Sequence, residues 1–404
     1  MNDTSNLSYI QDEDYIKKQH KCIENIINNE ISMNRISGAN ILLLQHGSPI
    51  YRGSFGLADI ENNIPMRKDT IFRLFSMSKI ITSVAGLMLV ERGIIDMYEP
   101  VSKYLEGFRH QNVIVGEEIH PCARPVLIRD LFNMTSGLSY PNEDNMSGKL
   151  MIKLFEEVIK EQDKGNYVDT ISFANKMGQV PLAFAPGDAW QYGTSADVLG
   201  AVIEAASGKK FSKFLEDELF IPLGMTDTGF YVPEEKKARF AAFYDNNEEN
   251  HTLKIWTDRN LGLEGYDHKP AFESGGAGMV STIDDYSKFA LMLLNNGEFE
   301  GRRYLGRKTV EFLHTNQLND VQKPHLNWDS LRGYDYGNLV RILKSPAIAG
   351  SNSSAGEYGW DGWCGTYITI NPAEDFIMLY FIQRCNTGCN DTTRKLRSIA
   401  YSLL

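Results

Sequence analysis

The sequence predicts an α/β (α+β) protein with one antiparallel sheet, built from strands near both termini, and a mainly helical lobe inserted between them. Two observations support this prediction. Apolar runs typical of strands gather near the two ends of the chain, and the long middle carries apolar residues at helical spacing. The length of 404 residues is enough for about two domains or lobes. We expect residues 1–75 and 241–404 to form the sheet lobe and 76–240 the helical lobe, with a site in the cleft between them.

The first elements along the chain are a helix and a β-hairpin. Isoleucines at helical spacing predict an amphipathic helix over 12–31. The apolar run 41–44, the turn 46–49 and the run 50–57 then predict a hairpin. Residues 76–92 follow a helical apolar pattern that ends at Gly93, a residue that favours helix termination.

The remaining elements complete the predicted sheet. The span 94–240 has mostly helical patterning, and its polar stretch 145–165 is expected at the surface. Thr282 and Asp285 form a capping-box pattern before a helix over 286–296. A second hairpin is predicted from strands over 366–370 and 376–382, and a terminal helix follows it. We expect the terminal helices to cover the sheet.

Charge and composition exclude several classes of protein. The net charge of −11 argues against nucleic acid as the main partner. No apolar stretch is long enough to predict a membrane span, and the N-terminus does not resemble a signal peptide. Five cysteines, an odd number, fit reduced thiols, so we expect a cytoplasmic protein. Cys385 and Cys389 lack further ligands at metal-binding spacing, and no metal or organic cofactor is expected.

The most informative motif is Ser76-Met77-Ser78-Lys79 at the start of a predicted helix. A lysine three residues after a serine lies on the same helix face, where a neutral amine can take the serine proton. The helix start adds free backbone N–H groups and the positive end of its dipole. A second Ser-x-x-Lys match at Ser207 and Lys210 coincides with a predicted helix end, so we interpret it as coincidental.

A serine nucleophile also needs a group that carries protons to the leaving group, and tyrosine is chemically suitable. Tyr192 follows a Pro-Gly turn and precedes a predicted helix, on a loop inside the helical lobe. Tyr140, Tyr244 and Tyr336 each belong to a Tyr-x-Asn triplet. These three lie in polar turns or strand-like runs and are interpreted as ordinary turn or sheet tyrosines. Tyr192 is therefore the preferred candidate.

Taken together, the motifs resemble those of the serine β-lactamase-related superfamily, which includes class C β-lactamases, D,D-peptidases and family VIII carboxylesterases. The resemblance extends over nearly the whole chain and implies a β-lactamase/transpeptidase-like fold. The matching segments are Phe72 to Lys79, Ile128-Arg129-Asp130-Leu131 with Thr135-Ser136-Gly137-Leu138, Trp190-Gln191-Tyr192 with Asp197-Val198-Leu199-Gly200, Pro222-Leu223-Gly224-Met225, the run from Gly276 to Thr282, Gly359-Trp360-Asp361-Gly362 and Gly365-Thr366-Tyr367.

The resemblance implies a role for each matched position. Ser76 would be the acylated nucleophile, and Lys79 with Tyr192 would share the general base and acid work. The backbone N–H groups of Ser76 and Trp363 would form the oxyanion hole. Gly362, directly before Trp363, would allow the close backbone approach that this hole requires.

Departures from the lactamase pattern favour the esterase branch. The family's Lys-Thr-Gly or His-x-Gly triplet is Trp360-Asp361-Gly362 here, which removes a cation that usually meets a substrate carboxylate and adds an anion. Thr194 replaces the asparagine of the Tyr-x-Asn pattern. We expect these four residues, Trp360, Asp361, Gly362 and Thr194, to contact substrate, and Trp363 to contribute to the pocket wall.

Other polar residues near the motifs have simpler interpretations. Ser78 points away from Ser76 on a helix and is expected to pack or form hydrogen bonds, and the alternative is that it supports the site. Cys364 fits a small buried side chain. Ser195 fits a helix N-cap, because its neighbours lack the last glycine of the Gly-x-Ser-x-Gly elbow of α/β-hydrolases.

The expected function is a serine hydrolase, a carboxylesterase that acts on small or medium acyl esters. The alternative is a β-lactamase or D,D-peptidase, although no export signal is visible. D-aminopeptidase, amidase and acyltransferase variants of the same chemistry also remain open, as does a non-catalytic member of the fold. In each catalytic case the partner is a small-molecule ester, amide or lactam.

Overall fold

In the computed structural model, which describes residues 13–247, 252–257 and 259–404, the central feature is an antiparallel sheet of eight strands. In chain order these strands are β1 Gly38–Gln45, β2 Ser48–Asp59, β3 Ile64–Pro65, β4 Tyr334–Tyr336, β5 Arg341–Leu343, β6 Tyr358–Asp361, β7 Tyr367–Asn371 and β8 Phe376–Phe381. Their spatial order is β4-β5-β6-β7-β8-β1-β2-β3. The N-terminal β1 therefore lies beside the C-terminal β8, with Leu42 opposite Leu379, and the prediction of one sheet from both ends of the chain is confirmed.

Both faces of this sheet are covered, because successive side chains of a strand point to opposite sides. In β1, Ile41 and Leu43 pack with apolar residues of the first and last helices, α1 Glu13–Ser32 and α11 Asp391–Tyr401. Their neighbours on β1 and β8 belong to the larger core on the opposite face, where the helix α8, Ile283–Leu294, contacts β8. The terminal helices therefore cover the sheet as predicted.

In the sequence, most of the other helices lie between β3 and β4. They are α2 Ser78–Glu91, α3 Ile128–Phe132, α4 Met146–Gln162, α5 Thr170–Gly178, α6 Ser195–Ser207, α7 Phe211–Leu215, α9 Arg307–Leu313 and α10 Pro346–Ala349. A π-helical turn over Glu216–Phe220 extends α7, and short 3-10 turns occur at Phe75–Met77, Val101–Lys103, Glu106–Phe108, Glu234–Arg239, Lys323–His325 and Asp329–Leu331. The predicted helical character of the middle of the chain is thus confirmed.

Four small two-stranded ribbons complete the described chain. They pair Phe72–Arg73 with Val280–Ser281, Asn112–Val115 with Glu118–Pro121, Tyr244–Asn247 with Thr252–Ile255, and Glu298–Phe299 with Arg302–Arg303. The first ribbon ends just before Ser76 and so fixes the approach to the predicted nucleophile. No helix in the described residues has the length and apolar character needed to cross a bilayer.

Local sequence signals locate most element ends. The first hairpin turns over His46 and Gly47, which both have positive φ, as a type I′ turn requires. Thr282 caps α8 by accepting a hydrogen bond from the Asp285 N–H at 3.1 Å. The stretch 145–165 differs from the expectation of a surface segment, because α4 buries one apolar face that includes Phe155. Asp12, the start of the first predicted helix, lies outside the described residues.

Candidate active site

Ser76 lies in the 3-10 turn Phe75–Met77 that leads directly into α2. Its side chain is partly exposed, whereas Phe75 and Met77 on either side are buried. Phe75 has a φ of +44°, in the left-handed region that non-glycine residues rarely adopt. Such strain persists only where surrounding contacts impose it, and it clusters at functional sites. The backbone therefore bends sharply at the residue before the predicted nucleophile.

The strand end at residues 73–74 is fixed by contacts from the C-terminal part of the chain. The Thr366 hydroxyl donates to the Leu74 carbonyl at 2.9 Å, and the Cys364 thiol donates to the Arg73 carbonyl at 3.0 Å. A Cβ added at Gly362 would lie 2.3 Å from the Leu74 carbonyl oxygen. The turn that carries Trp363 therefore packs against the approach to Ser76, and only glycine fits at position 362.

Lys79 lies one helical turn after Ser76 and is fully buried. Its Nζ makes three hydrogen bonds, to Ser76 Oγ at 3.0 Å, to the Tyr140 hydroxyl at 2.9 Å and to the Gly276 carbonyl at 2.8 Å. Burial lowers the Lys79 pKa to about 7, and negative charges at Asp197 and Asp361 oppose that decrease. A large fraction of this amine is therefore neutral near pH 7 and can accept a proton.

Tyr192 lies close to both Ser76 and Lys79. Its phenol accepts a hydrogen bond from Trp360 Nε1 at 3.0 Å and interacts with the Ser76 side chain. The two rings stack, with centroids 5.5 Å apart, and Lys79 Nζ lies 4.6 Å from the Tyr192 ring centroid. Burial raises the Tyr192 pKa well above its usual range, so this phenol stays protonated at neutral pH. The structure thus brings Ser76, Lys79, Tyr192 and Trp360 together.

Tyr140 is the site residue that the sequence interpretation missed. Its hydroxyl contacts Lys79 Nζ, whereas the triplet it begins was interpreted as an ordinary turn. Its loop packs against the Tyr192 loop so closely that a Cβ on Gly193 would lie 1.9 Å from the Leu138 carbonyl oxygen. The Tyr-x-Asn triplet was a usable signal, because Asn142 Nδ2 holds the loop by donating to the Tyr140 carbonyl at 2.9 Å.

The tyrosines of the other two Tyr-x-Asn triplets make different contacts. The Tyr244 hydroxyl donates to Glu61 at 2.7 Å, and Tyr336 is a buried ring beside Trp360.

Of the serines with simpler interpretations, Ser78 accepts a hydrogen bond from the Met279 N–H at 3.2 Å. Ser195 is the first residue of α6 rather than its cap, which is Thr194, and it hydrogen-bonds the Ser136 hydroxyl at 2.8 Å.

Asp197 acts on Lys79 through the loop around Gly276 and through its charge. This buried carboxylate accepts hydrogen bonds from the Ser274 hydroxyl and from the Gly276 N–H, the latter at 3.0 Å. Gly276 in turn presents its carbonyl to Lys79. Burial raises the Asp197 pKa, although the charge of Lys79 opposes that increase. The carboxylate therefore both positions the loop around Gly276 and acts electrostatically on Lys79.

Two residues expected to contact substrate have partners within the fold. The Asp361 carboxylate forms an ion pair with the buried Arg341 and accepts a hydrogen bond from the Cys389 N–H at 3.0 Å. The buried Thr194 hydroxyl donates to the Ser139 carbonyl at 3.4 Å. Trp363 lies in a tight turn, closed by a hydrogen bond of 2.9 Å from the Gly365 N–H to the Gly362 carbonyl, and its ring packs on Phe75.

Comparison with known proteins is consistent with this geometry. The Beta-lactamase family model matches residues 23–400. Esterase EstB of Burkholderia gladioli is 30% identical over 385 residues, which cover 91% of this chain and 91% of that protein. Among solved structures of lower identity, 22% in both cases, the fold matches EstCE1, a hydrolase with promiscuous acyltransferase activity, with a TM-score of 0.77 over 96% of this chain and 99% of that one. It also matches the simvastatin synthase LovD from Aspergillus terreus with a TM-score of 0.78 over 95% and 98%.

The family match spans most of the described chain, and the sequence relationship to an esterase extends over almost all of both proteins. The chain therefore belongs to the beta-lactamase family and is a serine hydrolase related to its esterase-like branch.

Proposed function

We propose that this enzyme is a carboxylesterase that hydrolyses small or medium acyl esters through an acyl-enzyme on Ser76. The observation that carries the proposal is the 3.0 Å contact between Ser76 Oγ and Lys79 Nζ, an amine whose burial lowers its pKa to about 7. A partly neutral lysine at this distance has the geometry and the basicity of a general base near neutral pH.

In the proposed acylation step, Ser76 Oγ attacks the ester carbonyl carbon while Lys79 takes the serine proton. The carbonyl oxygen gains negative charge and binds the backbone N–H groups of Ser76 and Trp363. Tyr192, which is protonated, donates its proton to the departing alcohol oxygen, and the proton held by Lys79 restores the phenol. In the second step, water attacks the acyl-enzyme, and the protons move through Tyr192 and Lys79 in the opposite direction. Tyr192 takes a proton from the water while Lys79 takes the phenol proton and passes it to Ser76 Oγ, which releases the acid and regenerates Ser76.

The ester specificity is supported by the triplet on β6. A Lys-Thr-Gly triplet would present a cation to the carboxylate of a lactam or peptide, whereas Trp360-Asp361-Gly362 presents an indole. Because both oxygens of Asp361 have partners within the fold, we propose a structural role for this residue. The similarity to esterase EstB points in the same direction.

The test is hydrolysis of p-nitrophenyl butyrate by the wild type, by Ser76→Ala and by Ser207→Ala. We expect Ser76→Ala to lose turnover by a factor on the order of 10⁴ or more, because the variant lacks the hydroxyl that forms the proposed acyl-enzyme. Ser207→Ala is the matched control, because it removes the serine of the second Ser-x-x-Lys match and should keep wild-type rates. A fluorophosphonate should label the wild type on Ser76, as mass spectrometry of its peptides would detect.

Near-normal turnover of Ser76→Ala would overturn the proposal. Failure of the wild type to hydrolyse p-nitrophenyl butyrate, combined with a stable penicilloyl adduct on Ser76, would favour the lactam-recognising alternative instead.

A further inference from the structure

A cavity of about 400 Å³ lies beside Tyr192, outside the contacts of Ser76 and Lys79 described above. Its walls come from the Tyr140 loop, the Tyr192 loop and the segment around Trp328. Ligand sites in proteins typically have volumes of about 300–1,000 Å³, so this cavity is large enough for a small ring.

The position of the cavity indicates which part of a substrate it receives. A general acid must contact the oxygen of the leaving group. Tyr192 has that role in the proposed function, and Tyr192 itself lines the cavity. The acyl carbonyl, by contrast, faces the N–H groups of Ser76 and Trp363. The cavity therefore adjoins the alcohol portion of the ester, and this step rests on the proposed function.

The apolar walls of the cavity are aromatic. Trp328 packs edge-to-face on Tyr192 and on Trp190, with ring centroids 5.1 Å and 5.4 Å apart. Trp190 is buried, whereas 41% of Trp328 is exposed, so Trp328 offers a free indole surface at the rim. Aromatic surfaces of this kind pack well against the C–H faces of a saturated ring.

Three polar side chains of the lining are available for hydrogen bonds. The side chains of Asp144, His325 and Asn327 make no hydrogen bond or ion pair within the described part of the chain. All three residues are exposed, so a ligand in the cavity can reach them.

The charge of the lining excludes one class of alcohol. All residues that line the cavity are described, and neither lysine nor arginine is among them. Asp144 would repel a carboxylate or a phosphate. A quaternary ammonium group would suit the aromatic rings and Asp144, but it could not form hydrogen bonds with His325 or Asn327. The lining thus favours a ligand that is neutral and rich in hydroxyl groups.

We propose that this cavity binds the alcohol portion of the substrate, and that this portion is a neutral polyhydroxylated ring such as a monosaccharide. Its C–H face packs on Trp328, and its hydroxyl groups bond to Asn327, His325 and Asp144. The enzyme is then an esterase of acylated sugars or cyclic polyols rather than of simple alkyl esters.

The first test measures binding without catalysis. Isothermal titration of the Ser76→Ala variant with methyl β-D-glucopyranoside should show saturable binding, and choline should bind at least about tenfold more weakly. Trp328→Ala in the same background should weaken glucoside binding by about tenfold or more. Val321→Ala is the matched control, because Val321 is an exposed residue of the same segment that does not line the cavity.

The second test measures specificity with one acyl group. For the wild type, kcat/KM for methyl glucoside 6-O-butyrate should exceed that for butyl butyrate by about tenfold or more, and Trp328→Ala should remove the difference by lowering only the sugar-ester value. Absence of glucoside binding, stronger binding of choline, or a preference that survives Trp328→Ala would overturn the proposal. Glucoside binding to Ser76→Ala with neither ester hydrolysed by the wild type would support the cavity assignment and refute the esterase activity.

Discussion

Lys79 is the residue in which burial and chemistry are most closely linked. An ammonium group that loses its water must find other partners, and here it contacts a hydroxyl, a phenol and a carbonyl, none of which is charged. Burial consequently lowers its pKa to about 7, against an ordinary value of 10.5. The same burial makes Lys79 a base near neutral pH and costs the folded state stability.

The activity should depend on pH through this lysine. Below pH 7 Lys79 is protonated and cannot accept the serine proton, so kcat/KM for p-nitrophenyl butyrate should rise with pH and level off above an apparent pKa of about 7. Asp197→Asn should move this midpoint to lower pH, because the Asp197 charge raises the Lys79 pKa. Profiles at constant ionic strength over about pH 5.5 to 9 would check both, and a flat profile would contradict the role of Lys79.

Stability should depend on pH through the same group. The folded-state pKa lies below the unfolded value, so between about pH 7 and 10.5 the unfolded state binds more protons at this site and the wild type gains stability as pH rises. The free energy of unfolding of Lys79→Met should lack this gain, and the difference between the two proteins should change by about 1.4 kcal/mol per pH unit. Urea denaturation at pH 7.5, 8.25 and 9 measures it.

Lys288→Met, which removes a partly buried lysine whose amine pairs with Asp285, is the control for that comparison. Parallel pH dependence of the wild type and Lys79→Met would show that Lys79 has an ordinary pKa.

The two site tyrosines should differ in their effect on turnover. Tyr192→Phe removes the proposed proton donor and should lower kcat by on the order of 10²-fold or more. Tyr140→Phe removes only a contact to Lys79, and we expect a smaller loss of about tenfold, with a shift of the pH midpoint. Tyr244→Phe, from another Tyr-x-Asn triplet, should keep wild-type kcat. A greater loss in Tyr140→Phe than in Tyr192→Phe would reverse the proposed roles.

At the scale of elements, the turn after β6 positions Trp363, whose backbone N–H is a proposed oxyanion donor. Three donors from residues 364–383 hold the carbonyls of Arg73 and Leu74, so the turn and the start of α2 form one unit. This unit connects the last strands of the sheet to the first helix of the central region. Its geometry depends on the absence of a side chain at Gly362.

Gly362→Ala should therefore damage catalysis and stability together. The new Cβ would lie 2.3 Å from both the Leu74 carbonyl oxygen and Thr366 Oγ1, so the turn must move away from Ser76. We expect kcat to fall by about 10²-fold or more, the loss typical of a displaced oxyanion donor, and the melting temperature to decrease. Gly229→Ala is the control, because its Cβ would meet no atom within 4 Å. Wild-type kcat in Gly362→Ala would show that the oxyanion site lies elsewhere.

For the whole molecule, the pairing of β1 with β8 holds the two ends of the chain together. The central sheet is a shared support, with the terminal helices on one face and α8 on the other. The division into a sheet lobe of residues 1–75 and 241–404 and a helical lobe of residues 76–240 stays a prediction. The turn after β6, which carries Trp363, packs against residues 73–75 from the first quarter of the chain.

Truncation within this pairing should destabilise the molecule as a unit. Leu379 is fully buried opposite Leu42, so Leu379→Ala should lower the free energy of unfolding by about 2–5 kcal/mol. Urea denaturation followed by circular dichroism and by residual esterase activity should give the same lowered midpoint for both signals. Ile255→Ala, at a residue that is 43% exposed, should change stability little. A decrease below about 1 kcal/mol in the free energy of unfolding of Leu379→Ala would show that the surrounding core side chains fill the space of the lost atoms.

The sequence by itself determined the features that depend on local pattern. The spacing of Ser76 and Lys79 follows from one helical turn, the hairpins follow from apolar runs and turn residues, and the helix ends follow from residues such as Gly93. Each of these features depends only on residues that are close to one another in the sequence. The motifs together also indicated the superfamily and its esterase-like branch.

Only the tertiary structure decided which distant groups meet. Tyr140 reaches Lys79 across 61 positions, and Asp361 is neutralised by Arg341, which lies 20 residues away. No local pattern specifies such contacts, because they depend on how loops and strands pack. The same reason explains why Tyr140 resembled an ordinary turn residue in the sequence: its environment comes from α2 and from the Tyr192 loop, which approach it only in the folded chain.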